Sequence, residues 1–148
     1  MQAAIGCAQL EKLDYIVESR RRNFKILREG LEGTEGLILP EPIKNSDPSW
    51  FGFLISVKSD AGFTRNQLSE YLESKKIQTR NLFAGNLVKH PAFDEMRSTG
   101  KGFRIVGELK NTDFVMTNTF WIGVYPGMTE KMLQYMISTI KEFVASHK

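Results

Sequence analysis

Trp50-Phe51-Gly52-Phe53-Leu54-Ile55-Ser56-Val57 is the stretch on which the fold turns. Its apolar residues run too continuously for a strand with one solvated face, so the segment reads as a central strand, covered on both sides. Immediately before it, Leu37 to Ser49 carries Pro40, Pro42 and Pro48. Fixed φ angles and missing amide donors make this an extended connector. Further upstream, Leu10, Leu13, Val17, Phe24, Leu27 and Leu31 recur at spacings of three, four or seven and predict one long helix, ended by Gly30 and Gly33. The expected layout is a single small domain, 1–148, made of a connecting helix (1–33) and an α+β body (34–148).

Downstream of the central strand, Asp60 and Gly62 make a turn. Thr64 with Gln67 has the form of a capping box for a helix through Leu68, Tyr71 and Leu72, closed by Lys75 and Lys76 against the helix dipole. Ile77 to Phe83 is the next strand, and a helical turn spans Phe93 to Met96. A short helix over Asn111 to Asn118, capped by Asn111 or Thr112, precedes a strand from Thr119 to Tyr125. Thr129 then caps a last helix whose stripe is Met132, Leu133, Met136, Ile137, Ile140, Phe143 and Val144. The sum is an α+β domain, a small antiparallel or mixed sheet with helices over one face.

Composition narrows the function classes. A 148-residue chain with 41% hydrophobic and 25% charged residues is an ordinary globular domain that needs no staple to fold. Its net charge of +3 is dispersed, and the one tight run, Arg20 to Arg22, shares its helix with Glu11, Asp14, Glu18 and Glu29. No nucleic-acid role is expected. No apolar run reaches membrane-spanning length, so no membrane partner is expected either. Cys7 is the only cysteine, which excludes an internal disulfide and fits the cytoplasm. His90 and His147 are far apart, and no metal is expected. The helix opens without a capping residue before Ala3, and Ala3, Ala4, Gly6, Cys7 and Ala8 suit close packing, either on this domain's own core or on a layer outside the chain. The abrupt opening predicts a cut inside a larger protein.

Thr79-Arg-Asn-Leu-Phe-Ala-Gly-Asn-Leu-Val-Lys-His-Pro91 holds more hydrogen-bonding capacity than a connecting loop requires. Arg80 offers a planar fork for carboxylate or phosphate oxygens, and Asn81, Asn86 and His90 surround Phe83 and Gly85. Two readings stay open, a capped turn or the wall of a ligand site, and for Arg80 a salt bridge within the fold.

Met1-Gln-Ala-Ala-Ile-Gly-Cys-Ala-Gln-Leu-Glu-Lys-Leu13 with Arg20-Arg-Arg-Asn23 resembles the segment leading into the small domain of DegT/StrS-type sugar aminotransferases, pyridoxal-phosphate enzymes of the aspartate aminotransferase fold. Thr79 to Leu87, Asn111-Thr-Asp-Phe-Val-Met116 and Thr119-Phe-Trp-Ile-Gly-Val-Tyr-Pro-Gly127 are similar to the CDP-4-keto-6-deoxyglucose 3-dehydrase branch of lipopolysaccharide deoxysugar biosynthesis. The resemblance implies the C-terminal small domain of a fold-type I enzyme, without its N-terminal cofactor-binding large domain. It implies a parent using pyridoxal or pyridoxamine phosphate on a nucleotide-diphosphate sugar, as a homodimer, with an iron-sulfur flavoprotein reductase as partner. By the same analogy this domain closes over the sugar nucleotide, with Arg80 on phosphate or sugar oxygens, Asn86 on a hexose hydroxyl, Asn81, Phe83 and His90 behind them, and Tyr125 lining the site. No catalytic residue is expected in this chain, and the isolated chain is expected to hold no cofactor and to be inactive. A fragment of an ordinary sugar aminotransferase and a standalone binding module are the alternatives.

Overall fold

The computed structural model describes residues 2–147, so the predicted helix start at Met1 and the body's last residue, Lys148, lie outside the described residues. Helices α1 (Gln2–Leu10) and α2 (Leu13–Gly30) lead to strands β1 (Leu37–Ile38) and β2 (Gly52–Val57), helix α3 (Arg65–Ser74) and strand β3 (Thr79–Asn81). Two 3₁₀ turns and α4 (Asp94–Thr99) follow, then α5 (Lys110–Asn118), β4 (Thr119–Gly123) and α6 (Glu130–Ala145). The sheet order is β1-β2-β4-β3, with every neighbouring pair antiparallel. β2 and β3 therefore run parallel on either side of β4, joined through α3 in a split β-α-β unit.

The two-residue period of the strands sorts the core. Phe53, Ile55 and Val57 of β2 and Phe120 and Ile122 of β4 are buried against the helix layer, where Leu27, Leu31, Leu68, Leu72, Leu133 and Ile140 meet them. Each such side chain contributes about 1.5–3 kcal/mol on burial. The alternate residues Leu54, Ser56 and Trp121 are half-buried on the other face, where Ser56 and Thr119 share a 2.7 Å hydroxyl hydrogen bond. β2 is central, as its apolar run predicts.

The helix starts at Thr64 and Thr129 form as the sequence indicates. Thr64 and Gln67 make a reciprocal capping box, and Thr129 accepts from the Met132 amide at 3.3 Å. Neither Asn111 nor Thr112 caps α5, which begins at Lys110 with no side-chain cap.

The predicted single helix over 1–33 is two helices, broken at Glu11 and Lys12. Lys12 leaves helical geometry (φ −103°, ψ 2°), and its amide closes back on Gln9. Burial explains the break: α2 is anchored from Ser19 onward, through Asn23, Phe24 and Leu27, whereas α1 buries nothing, and Leu10 and Leu13, assigned to the apolar stripe, are 67% and 47% exposed. Without tertiary contact, nothing enforces continuity through the charged pair. Gly30 stays inside α2 at its closest approach to α6, where an added Cβ would lie 2.3 Å from Ile137 Cδ1; Gly33, at φ +70°, turns the chain away.

Candidate functional site

β3 is an edge strand, and its register places Arg80 opposite Trp121, with Thr79 opposite Ile122 and Asn81 opposite Phe120. Alternation then puts Arg80 and Trp121 on the sheet face away from the main helix layer. Trp121 is held in place by Phe51, whose ring centre lies 4.8 Å away, and by Gly52, where a Cβ would come within 2.8 Å of the indole. Arg80 is exposed, and its guanidinium makes no hydrogen bond or ion pair among the described residues. Glu73, which feels the Arg80 charge, has its carboxylate taken up by the amide and hydroxyl of Thr79; these hydrogen bonds, ahead of the guanidinium, hold its pKa below the usual carboxylate range.

Arg80 and Tyr125 line one cleft of about 460 Å³ between the end of α3 and the first turns of α6, together with Lys75, Lys76, Gln78 and Trp121. Tyr135 closes one wall by donating its hydroxyl to the Lys75 carbonyl at 3.0 Å. Tyr125 is 44% exposed, and its backbone carbonyl accepts from Asn23 Nδ2 of α2. Lys75 and Lys76 read in the sequence only as helix-end charges. Their closeness to a strand carrying Arg80 was the signal of a cationic cleft.

The remaining expected residues belong to the last position of β3 and the loop after it, and do not line this cleft. Asn81 accepts from Arg65. Phe83 is 78% exposed and sits in the left-handed region at φ +44°, a strained conformation for a residue with a Cβ. His90 Nε2 faces the Ala84 carbonyl and ties the loop's ends together. Asn86, expected on a hexose hydroxyl, is instead 3% exposed: its Nδ2 donates to Asp113 Oδ1 at 2.8 Å and its Oδ1 accepts from the Val88 amide. It holds the loop on α5. Lys89 reaches the same Asp113 oxygen at 2.8 Å, and these two donors hold the Asp113 carboxyl below its ordinary pKa. Gly85, at φ +64°, packs on Met116 so closely that a Cβ would fall 2.5 Å from its Cγ. The loop is thus fixed at both ends and in its middle.

Among the described residues no cluster of His, Cys, Asp and Glu could hold a metal, and no helix is long and apolar enough to cross a membrane. Residues 1–141 match the model of the DegT/DnrJ/EryC1/StrS aminotransferase family. The chain belongs to this family. It is 50% identical over 145 residues to dTDP-4-dehydro-2,6-dideoxy-D-glucose 3-dehydratase of Saccharopolyspora spinosa, covering 98% of this chain and 30% of that protein. It is likewise 50% identical to the lipopolysaccharide biosynthesis protein RfbH of Salmonella typhimurium, covering 97% and 32%. Among solved DegT-type structures, E. coli GDP-4-keto-6-deoxy-D-mannose-3-dehydratase with bound hydrated PLP superposes with a TM-score of 0.79 at 25% identity, over 93% of this chain and 34% of that one. The chain spans about a third of the length of the curated relatives it matches.

Proposed function

We propose that the chain serves a nucleotide-sugar 3-dehydratase of deoxysugar and lipopolysaccharide biosynthesis, as the part of the enzyme that closes over the sugar nucleotide. The observation that carries this reading is the 50% identity to the S. spinosa 3-dehydratase, against 27% to the dTDP-4-amino-4,6-dideoxy-D-glucose transaminase of Shigella dysenteriae. Arg80 offers its unengaged guanidinium to phosphate or sugar oxygens, and Tyr125 lines the same cleft. Asn81 at the end of β3 and Phe83 and His90 on the adjoining loop stand as secondary contacts, and Asn86 acts by fixing that loop.

The enzyme works in the cytoplasm with pyridoxal or pyridoxamine phosphate, which supplies an electron sink for loss of the sugar 3-hydroxyl. The described residues do not form a bed for that cofactor. The first turns of α3 and α6, where a phosphate could find free amides, carry their own threonine caps, and Lys75 lies over the Tyr71 ring at 5.3 Å. Cofactor chemistry therefore falls to the part of the enzyme beyond this chain, with a homodimer and an iron-sulfur flavoprotein reductase completing the reaction. This chain binds, orients and covers the substrate.

The test is product analysis of the protein expressed from its complete reading frame, with a nucleotide-linked 4-keto-6-deoxyhexose, the cofactor, an iron-sulfur flavoprotein reductase with NADH as electron donor, and glutamate present. Loss of the 3-hydroxyl with the sugar nitrogen-free is the expected result. A stable 4-amino sugar with glutamate as donor would overturn the dehydratase reading in favour of the aminotransferase one.

A further inference from the structure

We propose that the cleft between α3 and α6 takes the diphosphate of the nucleotide sugar, with Lys76 and Arg80 as its paired cations and Trp121 and Tyr125 as the surface beneath the nucleoside. This rests on the substrate class assigned above and adds the moiety bound and the second cation.

Lys76 carries the argument. The end of α3 is a Schellman motif: the Ile77 amide bonds the Leu72 carbonyl at 2.9 Å, the Lys76 amide bonds that of Glu73 at 3.0 Å, and Lys76 sits left-handed between them at φ +64°. Glycine is the favoured residue at that position, because a Cβ there costs about 1–2 kcal/mol. Lys76 bears this cost with its side chain lining the cleft. Neither Lys76 nor Arg80 has a carboxylate partner among the described residues, so both charges are available to a ligand in the cleft they share. Glu73, the acidic group that feels Arg80, is bound to Thr79.

The rest of the cleft suits the nucleoside end of the same ligand. Trp121 is pinned by Phe51 and made room for by Gly52, so a flat ring lies beside the cations. Tyr125 adds a second ring, and a volume of about 460 Å³ falls within the range of about 300–1,000 Å³ typical of small-molecule sites. Two adjacent cations match a diphosphate better than a monophosphate, and Arg80 can engage it bidentately.

Calorimetric titration of the protein expressed from its complete reading frame with thymidine diphosphate, thymidine monophosphate and inorganic pyrophosphate tests this. The wild type is expected to bind thymidine diphosphate more tightly than either other probe, and less tightly as salt is raised. Lys76→Gly is expected to weaken thymidine diphosphate about tenfold while leaving the unfolding temperature equal or higher, since glycine relieves the left-handed strain. Arg80→Ala weakens it at least as much, and Lys25→Ala, on the opposite helix, leaves it unchanged. Wild-type affinity in Lys76→Gly, pyrophosphate bound as tightly as thymidine diphosphate, or no binding to the wild type at millimolar concentration would each overturn the proposal. These outcomes separate it from the dehydratase reading: a protein that makes amino sugars yet shows the Lys76→Gly loss keeps the cleft and discards the reaction, and the converse result does the reverse.

Discussion

Asn23 and Tyr125, 102 residues apart in the chain, are joined by a 2.8 Å hydrogen bond from the Asn23 amide to the Tyr125 carbonyl. Asn23 is fully buried on α2, and the corner it holds presents the Tyr125 ring to the cleft. Removing the donor leaves the carbonyl with only its longer 3.3 Å bond from the Met128 amide, so Asn23→Ala should cost about 1 kcal/mol in urea unfolding. Asn23→Asp should be worse, because a carboxylate oxygen would then face the carbonyl. Equal stability of wild type and Asn23→Ala would show that the corner holds without this bond.

Gly85 and Gly33 separate backbone strain from crowding. Both are left-handed, but a Cβ at Gly33 meets open space whereas one at Gly85 strikes Met116 near its backbone. Gly33→Ala should lose about 1 kcal/mol from conformation alone. Gly85→Ala should lose about 2–4 kcal/mol and shift the loop off α5, visible as amide shift changes from Asn81 to His90. A Gly85→Ala variant no less stable than Gly33→Ala would mean that Met116 moves aside freely.

Asp113 ties Asn86 and Lys89 to α5 as a carboxylate, with a pKa held below its unfolded value. A depressed carboxyl stabilises the fold above the unfolded pKa of about 3.9, and that contribution disappears as the pH falls through the lower folded value. The stability gap between wild type and Asp113→Asn should therefore be constant near neutrality and close below about pH 4. Melting temperatures across that range measure it. A gap that persists at low pH would remove the charge from the account.

Arg80→Ala, in the enzyme expressed from its complete reading frame, should weaken substrate binding by about 1.5–3 kcal/mol, read as a raised KM with kcat little changed. An unchanged KM and kcat would take Arg80 out of the substrate site.

The elements that local rules control were legible. An apolar run placed β2 at the centre of the sheet, and Thr64, Gln67 and Thr129 announced their helix starts. What was not legible depended on partners distant in sequence. Leu10 and Leu13 carry a helical period but find nothing to pack on, so the period alone could not show where α2 begins to be buried. Asn86 has the chemistry of a ligand contact, and its side chain is engaged by Asp113 on α5, 27 residues away. Arg80 was legible as a candidate because it lies on a strand. Lys76 was not, since its left-handed geometry emerges only once α3 closes.

The strand order β1-β2-β4-β3 sets when the sheet can be completed during synthesis. The central pairing joins β2 to a strand that leaves the ribosome much later, as the Ser56–Thr119 contact across 63 residues illustrates. Until β4 emerges, β2 presents one bare edge to the cell, and β3 has no neighbour at all. Non-local closure of this kind slows folding and lengthens exposure to wrong partners. A nascent chain arrested before Thr119 would be the species most dependent on chaperones.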